Sequence, residues 1–198
     1  MKIAIFGGTF NPVHNGHIAI ARSIIDGGLA DRVWLMVTPC NPWKQDWNLP
    51  DNEVRLRMVE AAVSDIPGIE ASDFEFGLPL PQYTSSTLRA LQAKYPEHEF
   101  ILVIGADNWV EFTGWHEWEY IVSTFGIIVY PRDGYDLAGV PSCLNAARVT
   151  ELDAPLFNVS STQIRALAAA GESVARYVPA AALDIFLSLD RQFLNGQA

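Results

Sequence analysis

Residues 3–17 are Ile-Ala-Ile-Phe-Gly-Gly-Thr-Phe-Asn-Pro-Val-His-Asn-Gly-His, and this stretch decides the fold. Its first four residues form an apolar run that is typical of a buried strand. The two glycines and the proline that follow indicate a loop, after which residues 16–26 have the pattern of a helix. The stretch therefore predicts a strand, a loop and a helix in immediate succession.

His14 and His17 lie three residues apart where this helix begins. The spacing places both imidazole rings on one face of the first turn. The unpaired backbone N–H groups of that turn favour an anion, and Gly16 has no Cβ that would keep a bulky phosphate chain from the backbone. We interpret the stretch as a binding site for a triphosphate.

These residues also allow two plainer interpretations. The Gly-Gly pair alone could be only a tight turn between strand and helix, and the two histidines could be surface residues or metal ligands. A metal site needs a third ligand at suitable spacing, whereas His98 and His116, the other histidines, lie in separate segments. The sequence therefore predicts a phosphate site here and no metal site.

Apolar runs alternate with helical patterns along the rest of the chain. Strands are predicted at residues 3–6, 32–37, 69–76, 100–104 and 126–130, and helices at residues 16–26, 51–64, 85–95, 160–170 and 180–193. This alternation predicts a single-domain α/β fold, Rossmann-like and doubly wound, with a mainly parallel sheet and helices on both faces. Ligands bind beyond the carboxyl ends of the strands in such sheets, where we expect residues 7–17, 39–44 and 105–107.

The composition limits the kind of partner. The chain has 198 residues, of which 49% are apolar and 18% charged, with a formal net charge of −10. This charge would repel polymeric nucleic acid and anionic membranes, and no apolar stretch approaches the roughly 18 residues of a spanning helix. Cys40 and Cys143 lie outside any CxxC pattern, so we expect reduced thiols and a cytoplasmic protein.

The glycines after the first strand do not match two common nucleotide-binding motifs. The third glycine of Gly-x-Gly-x-x-Gly is absent after Gly7 and Gly8, and Pro12 lies in the loop instead. The chain also has no Gly-x-x-x-x-Gly-Lys-Ser/Thr segment. Neither a dinucleotide-dependent dehydrogenase nor a P-loop ATPase is therefore expected.

Residues 7–17 resemble the first signature of the HxGH nucleotidylyltransferase superfamily, and residues 159–165, Val-Ser-Ser-Thr-Gln-Ile-Arg, resemble its second signature. Segments 83–88, 104–107 and 115–118 narrow the resemblance to the bacterial nicotinate mononucleotide adenylyltransferases. The likeness covers nearly the whole chain and implies one nucleotidylyltransferase domain over residues 1–198, with a helical C-terminal part at about residues 160–198. The chain departs from the family pattern at Asn11, where Asp is commoner, and at Trp43, where His is usual.

The resemblance implies transfer of the adenylyl group of ATP to nicotinate mononucleotide, giving deamido-NAD and pyrophosphate, with Mg²⁺ carried on the ATP phosphates. It implies three sets of site residues. The catalytic set is His14, His17, Lys44 and Arg165; the ATP-binding set is Gly8, Thr9, Phe10, His14, His17, Ser160, Ser161, Thr162 and Arg165; the acceptor-binding set is Tyr83, Thr84, Asp107 and Trp115. The histidines could act as cations or as neutral N–H donors.

Other functions stay open at this stage. The acceptor could be nicotinamide mononucleotide or phosphopantetheine, the transferred group could be cytidylyl, or the chain could be a nucleotide sensor without activity. In each case we expect small-molecule nucleotides as partners, and a homo-oligomer is compatible with the sequence. The charges at His14, His17, Lys44 and Arg165 favour an enzyme, because a sensor does not need to stabilise a leaving group.

Overall fold

The computed structural model describes residues 1–39, 49–135, 148–157 and 159–189. Within these residues, six strands form one sheet. They are β1 (Lys2–Gly8), β2 (Arg32–Val37), β3 (Ile69–Ser72), β4 (Glu99–Gly105), β5 (Gly126–Tyr130) and β6 (Val149–Glu151). The strand order is β3-β2-β1-β4-β5-β6, and every neighbouring pair is parallel.

Seven α-helices surround the sheet within the same residues. They are α1 (Asn15–Asp26), α2 (Asn52–Val63), α3 (Thr84–Lys94), α4 (Ala106–Val110), α5 (Trp118–Thr124), α6 (Ser161–Ala169) and α7 (Ala180–Leu187). Short 3-10 helices occupy Phe74–Gly77 and Phe112–Gly114. No helix of the described part of the chain is long and apolar enough to cross a membrane.

The two faces of the sheet carry separate apolar cores. In β1, Ile3 and Ile5 pack with residues of α3, α4 and α5, whereas Ala4 and Phe6 pack with residues of α1, α2, α6 and α7. Alternate residues of a strand point to opposite faces, so the continuous apolar runs of the central strands are explained by burial on both sides. The doubly wound Rossmann-like fold predicted from the sequence is confirmed.

The direction in which successive strands are added to the sheet reverses between β1 and β4. Strands added after β1 go outward through β2 to β3, and the chain then returns to continue on the other side of β1. A crevice beyond the carboxyl ends of the strands forms at such a switch point. Helices α1 and α4 begin directly after β1 and β4, so their N-termini lie at this edge.

Some predicted elements differ from the structure. The strand predicted over residues 69–76 ends at Ser72, and the chain turns into the 3-10 helix Phe74–Gly77. There the Glu75 carboxylate is buried and accepts a hydrogen bond from Thr87 Oγ1 at 2.8 Å, a tertiary contact that outweighs the alternating pattern. The sequence also missed β6, α4 and α5. Helix α7 ends at Leu187, and the last residues of the helix predicted to 193 lie outside the described part.

Candidate active site

The N-terminus of α1 is capped by two histidines. His14 is the N-cap, with an extended backbone at φ −140° and ψ 168°. The Gly16 N–H donates to His14 Nδ1 at 3.2 Å, and the His14 N–H donates to His17 Nδ1 at 3.1 Å. The two rings stack with their centroids 3.7 Å apart. The signature motif thus folds as a capping box whose side-chain acceptors are both imidazoles.

These hydrogen bonds determine the tautomer of both rings. An Nδ1 that accepts a hydrogen bond carries no proton, so a neutral ring has its proton on Nε2. Burial, and secondarily the Arg132 charge, lowers the pKa of His14 to about 4. Burial, followed by the charges of His14 and Arg132, holds the pKa of His17 well below its ordinary value. At neutral pH both histidines are therefore neutral, and each has an Nε2–H group left to donate.

The loop between β1 and α1 packs beneath the His17 ring. Gly8 is the last residue of β1, and Thr9 and Phe10 follow it. Phe10 is buried, with φ at 46°, and its ring meets that of His17 edge-on at a centroid distance of 5.0 Å. A Cβ at Gly8 would lie 3.1 Å from the Phe10 ring. A side chain at this position would therefore push Phe10 against His17.

Gly16 is required for a reason that the sequence did not show. A Cβ on this residue would lie 2.9 Å from His14 Nδ1 and 3.2 Å from Phe157 Cβ. The space that we expected to admit a phosphate chain is thus occupied by the capping ring. The glycine allows the imidazole of His14 to reach over the first turn.

The second signature segment joins α6 to the first loop. Ser160 caps α6: its hydroxyl accepts a hydrogen bond from the Gln163 N–H at 3.2 Å. The Ser161 hydroxyl donates to the Pro12 carbonyl at 3.0 Å. Ser161 therefore joins α6 to the loop, whereas Ser160 caps the helix, and the expected contact of both serines with ATP stays a prediction.

Arg165 lies in the same junction. Its side chain is buried and donates from Nη1 to the Asn11 carbonyl at 2.7 Å and from Nη2 to Thr162 Oγ1 at 3.3 Å. Burial lowers the pKa of Arg165, but from so high a starting value that the guanidinium stays charged at neutral pH. The guanidinium of Arg165, which was predicted to bind phosphate, thus holds the loop that leads from β1 to the two histidines.

Arg132, which the sequence analysis did not select, adds a cation to this end of the sheet. It follows the carboxyl end of β5 and lines a cavity together with His14 and His17. Its Nη2 donates to the Tyr130 hydroxyl at 3.1 Å, and its Nε lies 3.6 Å from Asp107 Oδ1. Its position directly after a strand is the signal that could have identified it. We call His14, His17, Arg132 and Arg165 the phosphate end of the site.

The expected acceptor residues form a second group. Tyr83 precedes α3, Thr84 is the first residue of that helix, and the Tyr83 ring stacks on the His116 ring with centroids 4.3 Å apart. Ser85 Oγ lies 3.1 Å from His116 Nδ1, while Trp115 is half-buried against Phe112. The structure thus joins Tyr83 and Ser85 to His116, which is the sequence neighbour of Trp115, and the contact of residues 83, 84 and 115 with an acceptor stays a prediction. We call Tyr83, Thr84, Trp115 and His116 the acceptor end.

Asp107 lies in the first turn of α4, and its ion-pair partner is Arg132 rather than a residue of the acceptor end. The carboxylate folds back over Gly105, where it occupies the place of a Cβ. Its predicted contact with substrate stays a prediction. Lys44, Trp43, Cys40 and Cys143 lie outside the described residues.

An open groove of about 600 Å³ lies elsewhere, between the edge strand β3 and α3, where Trp34, Phe74 and Tyr95 line it. No predicted site residue within the described ranges contributes to its wall. The described residues also contain no cluster of three or more His, Cys, Asp or Glu side chains that could hold a metal ion.

The chain is similar to known proteins over most of its length. Residues 5–167 match the model of a family described as cytidylyltransferase-like. A Bacteroides fragilis protein named probable nicotinate-nucleotide adenylyltransferase is 45% identical over 87% of this chain and 85% of its own length. A Flavobacterium johnsoniae protein of the same name is 39% identical over 90% of this chain and 92% of its own.

Solved structures share the fold at lower sequence identity. The Plasmodium falciparum nicotinic acid mononucleotide adenylyltransferase complexed with NaAD superposes with a TM-score of 0.77, at 17% identity, and the match covers 98% of both chains. The Bacteroides and Flavobacterium proteins are each similar to this chain over most of their length. The chain therefore belongs to the nicotinate-nucleotide adenylyltransferases, a family of nucleotidyltransferases within the cytidylyltransferase-like group.

Proposed function

We propose that this chain transfers the adenylyl group of ATP to nicotinate mononucleotide and releases pyrophosphate. The observation that carries the proposal is the pair of stacked, neutral histidines at the N-terminus of α1, each with its Nε2–H unused by the cap. Beside them, Arg132 lines the same cavity. Such a group of donors suits the phosphates of ATP.

In the proposed reaction, a 5′-phosphate oxygen of the mononucleotide attacks the α-phosphorus of ATP. The new P–O bond forms as the bond between the α-phosphorus and the bridging oxygen breaks, and the electron pair leaves with pyrophosphate. The attacking phosphate is already an anion near neutral pH, so no general base is needed. Catalysis then consists of positioning and of stabilising the leaving group.

His14 and His17 supply this stabilisation as neutral donors rather than as cations. Because their Nδ1 atoms are held by the backbone, the Nε2–H groups have fixed directions before ATP arrives. Donors that are already oriented require little reorganisation as charge develops on the leaving group. Arg132 supplies a full positive charge, and Arg165 holds the loop at Asn11. We assign Lys44 a further charge on the phosphates from the resemblance alone.

For the acceptor, we propose that the pyridine ring binds among Tyr83, His116 and Trp115. Tyr83 makes no cap hydrogen bond from its side chain to the described residues of α3, so backbone N–H groups of the first turn are available to a ligand. The partial positive charge at a helix N-terminus favours an anionic group. We therefore propose that the carboxylate of nicotinate is preferred over the neutral carboxamide of nicotinamide.

Mg²⁺ enters this proposal as part of the MgATP substrate. The ion keeps several water ligands when it binds through phosphates, so it needs no dedicated set of protein carboxylates. We also propose that the reaction takes place in the cytoplasm, on the basis of the acidic, disulfide-free pattern of the sequence.

The test is steady-state pyrophosphate release with ATP and Mg²⁺, with nicotinate or nicotinamide mononucleotide as the acceptor and with CTP replacing ATP as a control. We expect kcat/KM for nicotinate mononucleotide to exceed that for nicotinamide mononucleotide at least tenfold, or about 1.4 kcal/mol in transition-state binding. No turnover with either acceptor would refute the assignment. Turnover with CTP that equals or exceeds turnover with ATP would contradict the assignment of ATP as the nucleotide donor.

A further inference from the structure

Arg55 is a fully buried charged residue that the proposed reaction does not use. It lies in the first turns of α2, at 0% exposure. A buried guanidinium is costly unless its N–H groups have acceptors. Its partners therefore show what the residue is for.

The five N–H donors of this guanidinium each have an acceptor. Nε donates to the Pro50 carbonyl at 3.1 Å. Nη1 donates to the carbonyls of Thr9 at 2.7 Å and Thr38 at 2.9 Å. Nη2 donates to the Pro39 carbonyl at 3.3 Å and to Asn52 Oδ1 at 2.5 Å. An arginine side chain has five such donors in a planar fork, so this geometry uses its full capacity.

The acceptors belong to segments that lie far apart in sequence. Thr9 is in the loop that leads from β1 to the histidines of α1, whereas Thr38 and Pro39 follow the carboxyl end of β2. Pro50 and Asn52 are at the beginning of α2. One side chain thus joins the β1 loop, the end of β2 and the start of α2 at the edge of the sheet where the phosphate end lies.

We infer that Arg55 is a positioning residue for adenylyl transfer: its guanidinium holds the Thr9 carbonyl against the end of β2 and thereby sets the place of the His14 and His17 donors. The inference rests on the proposed function of those histidines. A lysine cannot replace this residue, because an ammonium group has three donors and no fork. If Arg55 served only to fill the core, an apolar side chain of similar size could replace it. A positioning role instead needs the hydrogen bonds to the loops, so variants that remove these bonds and keep the packing distinguish the two roles.

The experiment compares Arg55→Lys, Arg55→Met and Asn52→Ala with Met58→Ala, all in the full chain. Met58 lies on the same helix, is fully buried in the apolar core and has no place in the site, so its truncation destabilises α2 while Arg55 and its hydrogen-bond acceptors stay unchanged. Melting temperature, kcat and the KM for ATP are measured with ATP and nicotinate mononucleotide at a temperature where each variant is folded. Hydrogen exchange of the peptide covering residues 7–14 provides a readout that does not depend on activity.

We expect Arg55→Lys and Arg55→Met to lower kcat at least tenfold, with a KM for ATP within threefold, and to speed exchange in residues 7–14. Met58→Ala should keep kcat and that exchange within twofold even if its melting temperature falls further. Asn52→Ala removes the side-chain acceptor of Arg55 Nη2 and keeps Arg55 itself, and it should lower kcat about threefold. This variant tests the positioning role if neither Arg55 variant folds.

Variants of Arg55 or Asn52 that fold and keep wild-type kcat and loop exchange would overturn the inference. The same loss in Met58→Ala would also overturn it, since it would show a general effect of helix stability. Failure of the wild type to turn over would refute the proposed function instead, and the exchange measurements would still decide whether Arg55 holds the loop.

Discussion

The phosphate end and the acceptor end of the site are built in different ways. At the phosphate end, His14 and His17 are fixed by backbone N–H groups within one short motif, and Arg165 by a backbone carbonyl. At the acceptor end, Tyr83 and His116 come from separate segments and meet through their side chains. The His116 side chain is 48% exposed, whereas His14 is 6% exposed.

In the proposed function, this difference matches two tasks of an adenylyltransferase. Donors that stabilise a transition state must be held in place before the substrate binds, since their reorganisation would add to the barrier. Side chains that select an acceptor can adjust as the acceptor arrives, at a cost in affinity. We therefore expect changes at the phosphate end to lower kcat, and changes at the acceptor end to raise the KM for the mononucleotide.

The largest effect is expected at His17. An asparagine at this position retains an acceptor near the place of Nδ1 for the His14 N–H but has no donor at the place of Nε2. His17→Asn should lower kcat about 10²- to 10³-fold, the usual loss for one such donor. Steady-state kinetics with both substrates checks this prediction.

His17→Gln is the matched variant, because its longer amide can donate toward the place of Nε2 and, like Gln163 at the third position of α6, can accept from the N-cap N–H. It should keep about tenfold more activity than His17→Asn. Both variants lose ring contacts with Phe6 and Phe10, so this loss cancels in the comparison. Equal activities of the two variants would exclude Nε2–H donation.

The second effect is a dependence of stability on pH that comes from the buried phosphate end. The pKa of His14 is lowered from 6.5 to about 4 in the folded protein. Between these values the unfolded chain binds more protons, so the free energy of unfolding rises with pH and levels off above about 6.5. The full contribution of His14 is about 3 kcal/mol, and His17 acts in the same direction.

Denaturant titrations of the wild type and of His14→Asn at several pH values between 4 and 7 measure this contribution. The asparagine can still accept a hydrogen bond from the Gly16 N–H but does not titrate. The free energy of unfolding of the variant should therefore fall less than that of the wild type as the pH is lowered from 7 to 4. Burial raises the pKa of Glu75, so the contribution of this residue to stability changes with pH in the opposite sense. The contribution is the same in both proteins and cancels when their free energies of unfolding are subtracted. A difference that stays constant over this range would contradict the lowered pKa.

The phosphate end shows which features of the fold and of the site could be predicted from the sequence and which could not. The fold and the position of His14 and His17 at the start of α1 follow from local patterns, since apolar runs define the strands and the motif follows β1. Their capping hydrogen bonds were not predicted. The protonation state did not follow from sequence, because it depends on burial and on Arg132, which is 115 positions later than His17 in the printed sequence.

Arg55 and the 3-10 helix Phe74–Gly77 were missed for the same reason. The acceptors of Arg55 come from loops that only the folded chain brings together, and an arginine in a helical pattern is expected to face solvent. Glu75 is likewise explained by a buried contact with Thr87. Local periodicity contains no information on such contacts.

The third effect concerns Arg132, which belongs to the phosphate end but follows a different strand. Arg132→Gln should lower kcat about tenfold to 10²-fold because it removes a positive charge near the leaving group. Tyr130→Phe is the control: it removes the hydroxyl that Arg132 contacts at 3.1 Å and keeps the charge, and it should lower kcat less than threefold. If the two variants were equally impaired, the hydrogen bond rather than the charge would be the important feature.

The smallest effect is expected at the acceptor end. Tyr83→Ala removes a ring that stacks on His116 at 4.3 Å and that we propose to contact the pyridine ring of the acceptor. One aromatic contact of this kind contributes about 1 kcal/mol, so the KM for nicotinate mononucleotide should rise about fivefold with kcat within twofold. Tyr83→Phe keeps the stacking and should behave like the wild type. A fall in kcat without a change in KM would mean that this ring helps to align the attacking phosphate, and the separation between a rigid phosphate end and an adjustable acceptor end would then fail. A normal KM in Tyr83→Ala would place the pyridine ring elsewhere, with Trp115 as the next residue to change.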